Sequence, residues 1–376
     1  MTIRILHTAD LHLGTPLRNF GEIARERQRD FLKTFDRIVN LAIKREVDCL
    51  VVAGDLFDAT EVDSETVGRV QDGFGRLEGR GIRVVLIPGT HDNVVPAESV
   101  YNRHGFPGAA ILREPVMGEP LRMDIRGTAV WFYGFAYRSD RSAEALESMR
   151  RREGAGIHIG LLHGSLKGSP EWEIRGKDIP FTAADLVALG LDYIALGHYH
   201  NSACLEDGGR IVACYPGSPE GKKFGENGPR HALVVEVGEG EVGVEKVPVQ
   251  TRVVDELTVD ASLFPEPGAL EAELSRLASP DLIARVRLCG TVEEPVDAAN
   301  LGGRLQGKFA WLDLVDETDL YHSDHVKHLE REDSIRGLFI RKVHDRFVRA
   351  ESDAERELCQ EALKLVMGRF GRGGGI

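Results

Sequence analysis

Five short apolar runs in this chain each end on a residue that can bind a metal, and that arrangement narrows the fold class more than any other feature. Ile3-Arg4-Ile5-Leu6 leads to Asp10-Leu11-His12, Cys49-Leu50-Val51-Val52-Ala53 to Gly54-Asp55, and Val84-Val85-Leu86-Ile87-Pro88 to Gly89-Thr90-His91-Asp92. Ile157-His158-Ile159-Gly160-Leu161-Leu162 leads to His163, and Tyr193-Ile194-Ala195-Leu196 to Gly197-His198-Tyr199-His200. Apolar runs this short, bounded by Gly, Pro and polar residues, read as buried strands. Open α/β sheets bind ligands beyond the carboxyl ends of their strands, so all five ligand groups are expected to converge on one sheet edge. The spacing between the runs is helical. Ile23 to Glu46 carries Phe31, Phe35, Ile38, Leu41 and Ala42 on one face, and Glu65 to Glu78, Ala143 to Arg152 and Thr182 to Leu189 follow the same plan. Strand–helix–strand alternation predicts parallel pairing through helical crossovers.

Carboxylates mixed with imidazoles suit divalent Mn, Fe or Zn, whereas an all-oxygen set favours Mg or Ca. Two such ions roughly 3.5–4 Å apart can clamp a phosphoryl group, sharpen a bound water into a nucleophile and stabilise the leaving oxygen. Asp55, in the middle of the order, is the candidate for a carboxylate that bridges both ions. Two ionised aspartates against two divalent cations leave the pocket net positive, which suits an anionic phosphodiester.

The ordered set Asp-x-His, Gly-Asp, Gly-x-His-Asp, His and Gly-His-x-His resembles the calcineurin-like metallophosphoesterases. Its form here, Ile5 to Gly14 and Ala53-Gly54-Asp55-Leu56-Phe57-Asp58, is similar to the SbcD/YhaO-type DNA repair exonucleases. Tyr215-Pro216-Gly217-Ser218-Pro219-Glu220, followed by Phe224-Gly225-Glu226, resembles a further signature of that branch. The resemblance covers residues 1–250. It implies one ion held by Asp10, His12, Asp55 and His200, and a second held by Asp55, His163, His198 and position 90. His91 would orient or protonate the phosphate and leaving group, and Asp92 would hold His91 in its tautomer. The implied fold is a four-layer αββα sandwich followed by a small α/β capping-like domain and C-terminal helices. The implied cofactor is a pair of divalent ions, Mn2+ first, with Fe or Zn as alternatives. The implied partners are DNA, a second copy of the chain, and an SMC-like coiled-coil ATPase of SbcC/YhaN type.

Position 90 departs from the family, which has Asn where this chain has Thr90. Both side chains are neutral, but the hydroxyl sits on a shorter stem and donates less well than an amide oxygen. Weaker binding of the second metal is expected, with a water filling the gap or, against its position, Asn93 reaching in.

At 376 residues the chain is long enough for two domains. Its formal net charge of −13 argues against a general electrostatic grip on nucleic acid and favours a partner that holds the DNA. The five cysteines show no Cys-x-x-Cys pairing and read as buried free thiols in a reducing cytosol. The first residues form a core strand without the apolar region of a signal peptide, and no uncharged run approaches the roughly 18–20 residues of a membrane span. A soluble, cytoplasmic protein is expected.

Residues 1–250 are expected to form the nuclease domain, with a β-rich end at Ile211–Tyr215, Ala232–Val237 and Val242–Val247. Residues 251–328 read as the capping-like domain, with strands at Val253–Val259, Leu282–Leu288 and Ala310–Leu314 and helices at Gly268–Leu277 and Asp297–Gln306. Residues 329–376 read as a helical tail. Ile335, Leu338, Phe339, Val343 and Phe347 form one stripe, Ser352 with Glu355 resembles a capping box, and Gly371-Arg372-Gly373-Gly374-Gly375 reads as a disordered end. The tail either docks the ATPase or folds back on its own domain. His322, His325 and His328 fit a solvated surface better than a metal site. His7 and His158 read as structural. Lys222, Lys223 and Arg230 either touch phosphates or belong to a charged loop. Two rival functions stand beside a DNA exonuclease: a phosphoesterase for phosphoproteins, cyclic nucleotides or small phosphodiesters, and a weakly active assembly subunit.

Overall fold

A computed structural model describes residues 2–169, 179–238 and 240–372; of the end expected to be disordered, Gly371 and Arg372 instead close the last helix, and 373–375 lie outside the described residues. The chain divides into two units, Met1–Val253 and Val254–Ile376. The first is a four-layer αββα sandwich. One six-stranded sheet holds β1 (Ile3–Thr8), β2 (Cys49–Ala53), β3 (Arg83–Ile87), β4 (Ala109–Ile111), β13 (His231–Val237) and β14 (Val242–Pro248), in the order β14-β13-β1-β2-β3-β4. The other holds β5 (Leu121–Ile125), β6 (Thr128–Gly134), β7 (Ile157–His163), β10 (Tyr193–Gly197), β11 (Ala203–Asp207) and β12 (Arg210–Tyr215), in the order β11-β12-β10-β7-β6-β5. A short pair, β8 (Ser165–Leu166) and β9 (Pro180–Phe181), stands apart.

The five ligand-bearing runs therefore do not share one sheet. β1, β2 and β3 pair in parallel in the first sheet, and β7 and β10 pair in parallel in the second. The expected single edge is instead the common end of two stacked sheets. Period-two alternation explains the stacking. Ile3 and Ile5 of β1, Ile157, Ile159 and Leu161 of β7, and Tyr193 and Ala195 of β10 face a shared core between the sheets. The intervening Leu162, Ile194 and Leu196 face the opposite side, where Met149, Leu186 and Leu189 cover them. Met149 follows α4 (Ser142–Ser148), and Leu186 lies on α5 (Ala183–Ala188). Central strands buried on both faces have no polar face to show, hence the unbroken Cys-Leu-Val-Val-Ala of β2.

On the other flank, α1 (Ala24–Lys44) buries Phe31, Phe35, Ile38, Val39 and Ala42, a spacing close to the helical repeat. It packs on α2 (Ser64–Glu78) with Phe35 and Phe74 rings 6.0 Å apart. Asp63 caps α2 by accepting from the Thr66 amide at 2.8 Å. A short α3 (Val100–Arg103) precedes β4. His7 is structural, as its sequence setting implies. Its two nitrogens meet Tyr193 Oη at 2.9 Å and the Leu196 carbonyl at 3.1 Å, tying β1 to β10 between the sheets.

The cysteine expectation needs correction. Cys204 and Cys214 sit directly opposite one another on antiparallel β11 and β12 and form a disulfide, while Cys49, Cys289 and Cys359 remain free. Their Cα atoms are 4.0 Å apart, so adjacency across the ladder, not any sequence motif, brings the sulfurs together. Among the described residues no helix is long and apolar enough to cross a membrane.

The second unit contains a three-stranded sheet, β15 (Val253–Asp260), β16 (Leu282–Cys289) and β17 (Trp311–Asp316), with α6 (Ala269–Leu277) and α7 (Ala298–Arg304). Beyond it, α8 (Asp324–Glu330), α9 (Ile335–Val348) and α10 (Asp353–Arg372) share one small core of Leu320, Val326, Leu329, Ile340, Leu363 and Met367. That core runs across residue 328, so the last helices are built together with the segment before them. Ile335, Leu338, Val348 and Leu358 stay exposed on α9 and α10.

Candidate metal centre

Apart from His163, the last residue of β7, the metal-type side chains are delivered by turns beyond strand ends, and the backbone in several of those turns is unusual. Asp10, His12, Asp55 and His198 all have positive φ, at 53°, 48°, 51° and 104°. Side chains rarely adopt that region unless the surroundings over-determine it, and such residues cluster at functional sites. The turns zip together: Asp10 N–H donates to the Gly54 carbonyl at 3.1 Å and His12 N–H to the Asp55 carbonyl at 3.0 Å. Two glycines make room. A Cβ at Gly54 would lie 2.3 Å from His163 Nδ1, and one at Gly89 would lie 2.3 Å from Asp55 Oδ1.

Three groups of side chains lie close enough to hold a cation: Asp10, His12 and His200; Asp10, Asp55 and His163; and His12, Asp58 and His91. The first two contain five of the expected ligands. Asp55 stands among them, 3.8 Å from His12 Nε2 and 3.4 Å from His163 Nε2. His198 is placed by its backbone, which donates to both Asp10 oxygens at 3.0 and 3.1 Å, and its ring lies edge-on to His163. The Thr90 hydroxyl donates to Asp55 Oδ2 at 3.2 Å, so it sits in the site beside the candidate bridging carboxylate. Thr90→Asn, which returns an amide oxygen to that position, should tighten the weaker metal by roughly tenfold, about 1.4 kcal/mol. Competition with a fluorescent chelator would measure it, and unchanged affinity would show that the hydroxyl already suffices.

The imidazoles are preset with the same nitrogen forward. His163 Nδ1 bonds the Ala53 carbonyl at 2.9 Å, His200 Nδ1 meets Glu226 Oε1 at 2.7 Å, and His12 Nδ1 faces Asp58 Oδ1 at 3.0 Å. Partners of this kind fix the tautomer and raise the basicity of the ligating nitrogen. All three rings thus present Nε2 to the site. His12 Nε2 and His200 Nε2 face one another at 3.2 Å, and the buried His163 Nε2 makes no hydrogen bond. Converging imidazole nitrogens, one of them buried without a partner, beside two buried aspartates fit divalent cations.

The electrostatics follow from burial and crowding. Burial alone would raise the Asp55 carboxyl, but the charge of His163 above all holds it well below the usual carboxylate range. Burial lifts Asp10 to about 6 despite His163 and His200. Burial pulls His12 down to about 4, which keeps it a neutral imidazole of the kind that binds metal. Glu226 is held at about 2: burial opposes ionisation, and the bond and charge of His200 outweigh it.

Asp92 does not do what the sequence leads one to expect. Its carboxylate accepts from Gly89 N–H at 2.7 Å, Phe57 N–H at 3.1 Å and Tyr101 Oη at 2.6 Å. The turn folds the side chain back onto the amide three residues before it, away from the adjacent His91. His91 Nδ1 instead donates to the Asp58 carbonyl at 3.0 Å, with the Asp58 carboxylate 3.8 Å away. Asp92 is a structural clasp. Asp92→Asn should therefore lower stability by about 1–3 kcal/mol for each donor left unpaired, as urea unfolding would show. Loss of turnover with unchanged stability would restore the expected role.

Asp58 and Glu226 are legible in the sequence only as letters inside motifs, and no spacing rule shows which histidine each one serves. Of the three basic residues singled out in the sequence, Lys222 reaches the site, with Nζ 2.5 Å from Asp58 Oδ1. Arg230 instead braces backbone at His200 and Glu226, and Lys223 is exposed. His322 pairs with Asp319, and the His322, His325 and His328 trio is not among the cation-holding groups of the described residues. His158 bonds Tyr133 Oη at 2.7 Å and belongs to the scaffold.

The chain is similar to three curated proteins in particular. It is 29% identical over 348 residues to the uncharacterized metallophosphoesterase YhaO of Bacillus subtilis, covering 84% of this chain and 82% of that one. It is 28% identical over 227 residues to the DNA double-strand break repair protein Mre11 of Sulfurisphaera tokodaii, covering 58% of this chain and 54% of that protein. It is 27% identical over 271 residues to one of the components of the nuclease SbcCD of Bacillus subtilis, covering 64% of this chain and 67% of that component. The pattern of the calcineurin-like phosphoesterases matches residues 3–202, more than half of the chain and the stretch that carries every residue of the two inner ligand groups. By fold, by site and by this match, the chain belongs to the calcineurin-like phosphoesterase family.

Proposed function

We propose that this chain is a two-metal phosphodiesterase acting on DNA, the exonuclease subunit of an SbcCD-like repair complex, with manganese as its metal. The observation that carries the proposal is the paired grouping of Asp10, His12 and His200 with Asp10, Asp55 and His163, beside a partly exposed His91. Divalent cations there would supply positive charge to a phosphoryl group and acidity to a water. His12, His163 and His200 present Nε2, and Asp55 joins the two groups. His91 donates Nδ1–H to main chain, which leaves Nε2 for the departing sugar oxygen; the doubly protonated ring would give that oxygen its Nε2 proton and end as neutral imidazole.

DNA as substrate is supported by the relatives named for double-strand break repair and for the SbcCD nuclease. The net charge of −13 supports a partner that grips the duplex. Exposed Ile335, Leu338, Val348 and Leu358 support docking of a coiled-coil ATPase on α9 and α10. Dimerisation of the phosphoesterase unit and a cytoplasmic location belong to the same reading. The test is purified protein with Mn2+ on linear duplex and single-stranded DNA labelled at either end. Release of nucleotides is expected and gives the polarity. Cleavage of a small aryl phosphodiester with no cleavage of DNA would point to the rival phosphoesterase reading.

A further inference from the structure

Between β12 and β13 the chain makes a loop that no secondary structure holds, yet its polar groups are among the most deeply buried in the protein. Glu220 is 1% exposed, and it receives Arg27 at 2.7 Å, the Thr34 hydroxyl at 2.6 Å and the Thr251 amide at 2.6 Å. Arg27, with no exposed side-chain surface, also pairs with Asp30 at 3.0 Å and donates to the Gly221 carbonyl at 2.9 Å. Two residues of this loop reach the metal centre. Glu226 holds His200, and also accepts from the Lys222 amide at 2.8 Å. Lys222 holds Asp58.

A buried charge network is a poor source of stability but a good means of fixing a position. Here it fixes Lys222. The ammonium has three donors, and one of them goes to Asp58 Oδ1. The same oxygen faces His12 Nδ1 at 3.0 Å and lies 3.8 Å from His91 Nδ1. Lys222 therefore stands on the outer side of the carboxylate that both histidines share, with 21% of its side chain open to solvent. One ammonium donor meets Asp58, and two remain to reach another anion next to the carboxylate that His91 also approaches, in a chain whose overall charge repels polyanions.

We infer that Lys222 binds a second phosphate of the substrate, the one neighbouring the phosphate under attack. The site thus recognises two consecutive phosphates of a polynucleotide backbone rather than a single phosphoester. This rests on the phosphodiesterase reading above and narrows it to substrates that carry an adjacent phosphate.

The experiment is calorimetric binding of thymidine 3′,5′-bisphosphate, thymidine 5′-monophosphate and thymidine 3′-monophosphate to the manganese-loaded full chain. The wild type should prefer the bisphosphate over either monophosphate by about tenfold, the size of one charge-assisted hydrogen bond. Lys222→Met should close that gap to within about twofold while retaining wild-type manganese content, and Lys222→Arg should restore most of it. Three results would overturn the inference. They are no preference in the wild type, a preference that survives Lys222→Met, and loss of manganese in that variant, which would make Lys222 only a brace for Asp58 and His12. Because the readout is binding, a wild type that leaves DNA uncut would count against the nuclease reading and still decide the role of Lys222.

Discussion

Asp55→Asn is expected to empty the metal centre and cut phosphodiester hydrolysis roughly a thousand-fold, the factor that about 4 kcal/mol of lost transition-state stabilisation represents. The carboxylate does three jobs at once. Oδ1 accepts from the His91 amide at 2.9 Å, Oδ2 accepts from Thr90 at 3.2 Å, and Oδ2 also lies 3.8 and 3.4 Å from the forward nitrogens of His12 and His163. Asparagine keeps the size and one acceptor but removes the charge, and turns an N–H2 group toward nitrogens that need an anion or a cation. The backbone contacts of residue 55 survive, because the His12 amide bonds its carbonyl. Folding should therefore persist while metal is lost. Metal content by mass spectrometry, together with hydrolysis of a chromogenic phosphodiester, measures both. Two ions retained with normal turnover would show that Asp55 does not join the two groups.

His91→Ala has the second largest effect, and it separates chemistry from binding. The side chain is 46% exposed and belongs to neither inner ligand group, so its loss should leave metal content and stability near wild type. On the proposed role of His91 as proton donor to the leaving oxygen, its removal should lower kcat by about 10²–10⁴. Because the contribution is made in the transition state, KM should move little. Loss of metal from this variant would place His91 among the ligands through the outer group of His12, Asp58 and His91, and normal kcat would remove it from the chemistry.

The candidate ligand residues are readable in the sequence because each lies at or just beyond the end of a mostly apolar strand, as buried parallel strands read. What strand patterns cannot carry is which sheet a strand joins. β1 and β7 have the same texture, and only the packing of Ile5 against the same core as Ile159 shows that they belong to separate sheets. Asp58 and Asp92 show a second limit. Each sits within a ligand motif, and the backbone path of a four-residue turn decides that Asp58 serves the histidines while Asp92 turns back to Gly89. The Ala-Cys-Leu-Glu-Asp of β11 lacks the apolar alternation of a strand, which hides both its pairing with β12 and the Cys204–Cys214 bond.

The buried cluster around Arg27 has a consequence for anyone who would move this site to another protein. A graft limited to the strand-end turns would carry Asp10, His12, Asp55, His91, His163 and His200, yet leave behind what keeps His200 in register. That support is Glu226, and the loop it belongs to is tied by Glu220 to Arg27 and Thr34, with Asp30 beside them on a single helix. The portable unit is therefore α1 together with the β12–β13 loop. A transplant lacking that helix should fold and still fail to hold metal, whereas a chimera that exchanges α1 and the loop as a pair should tolerate large changes elsewhere in the scaffold.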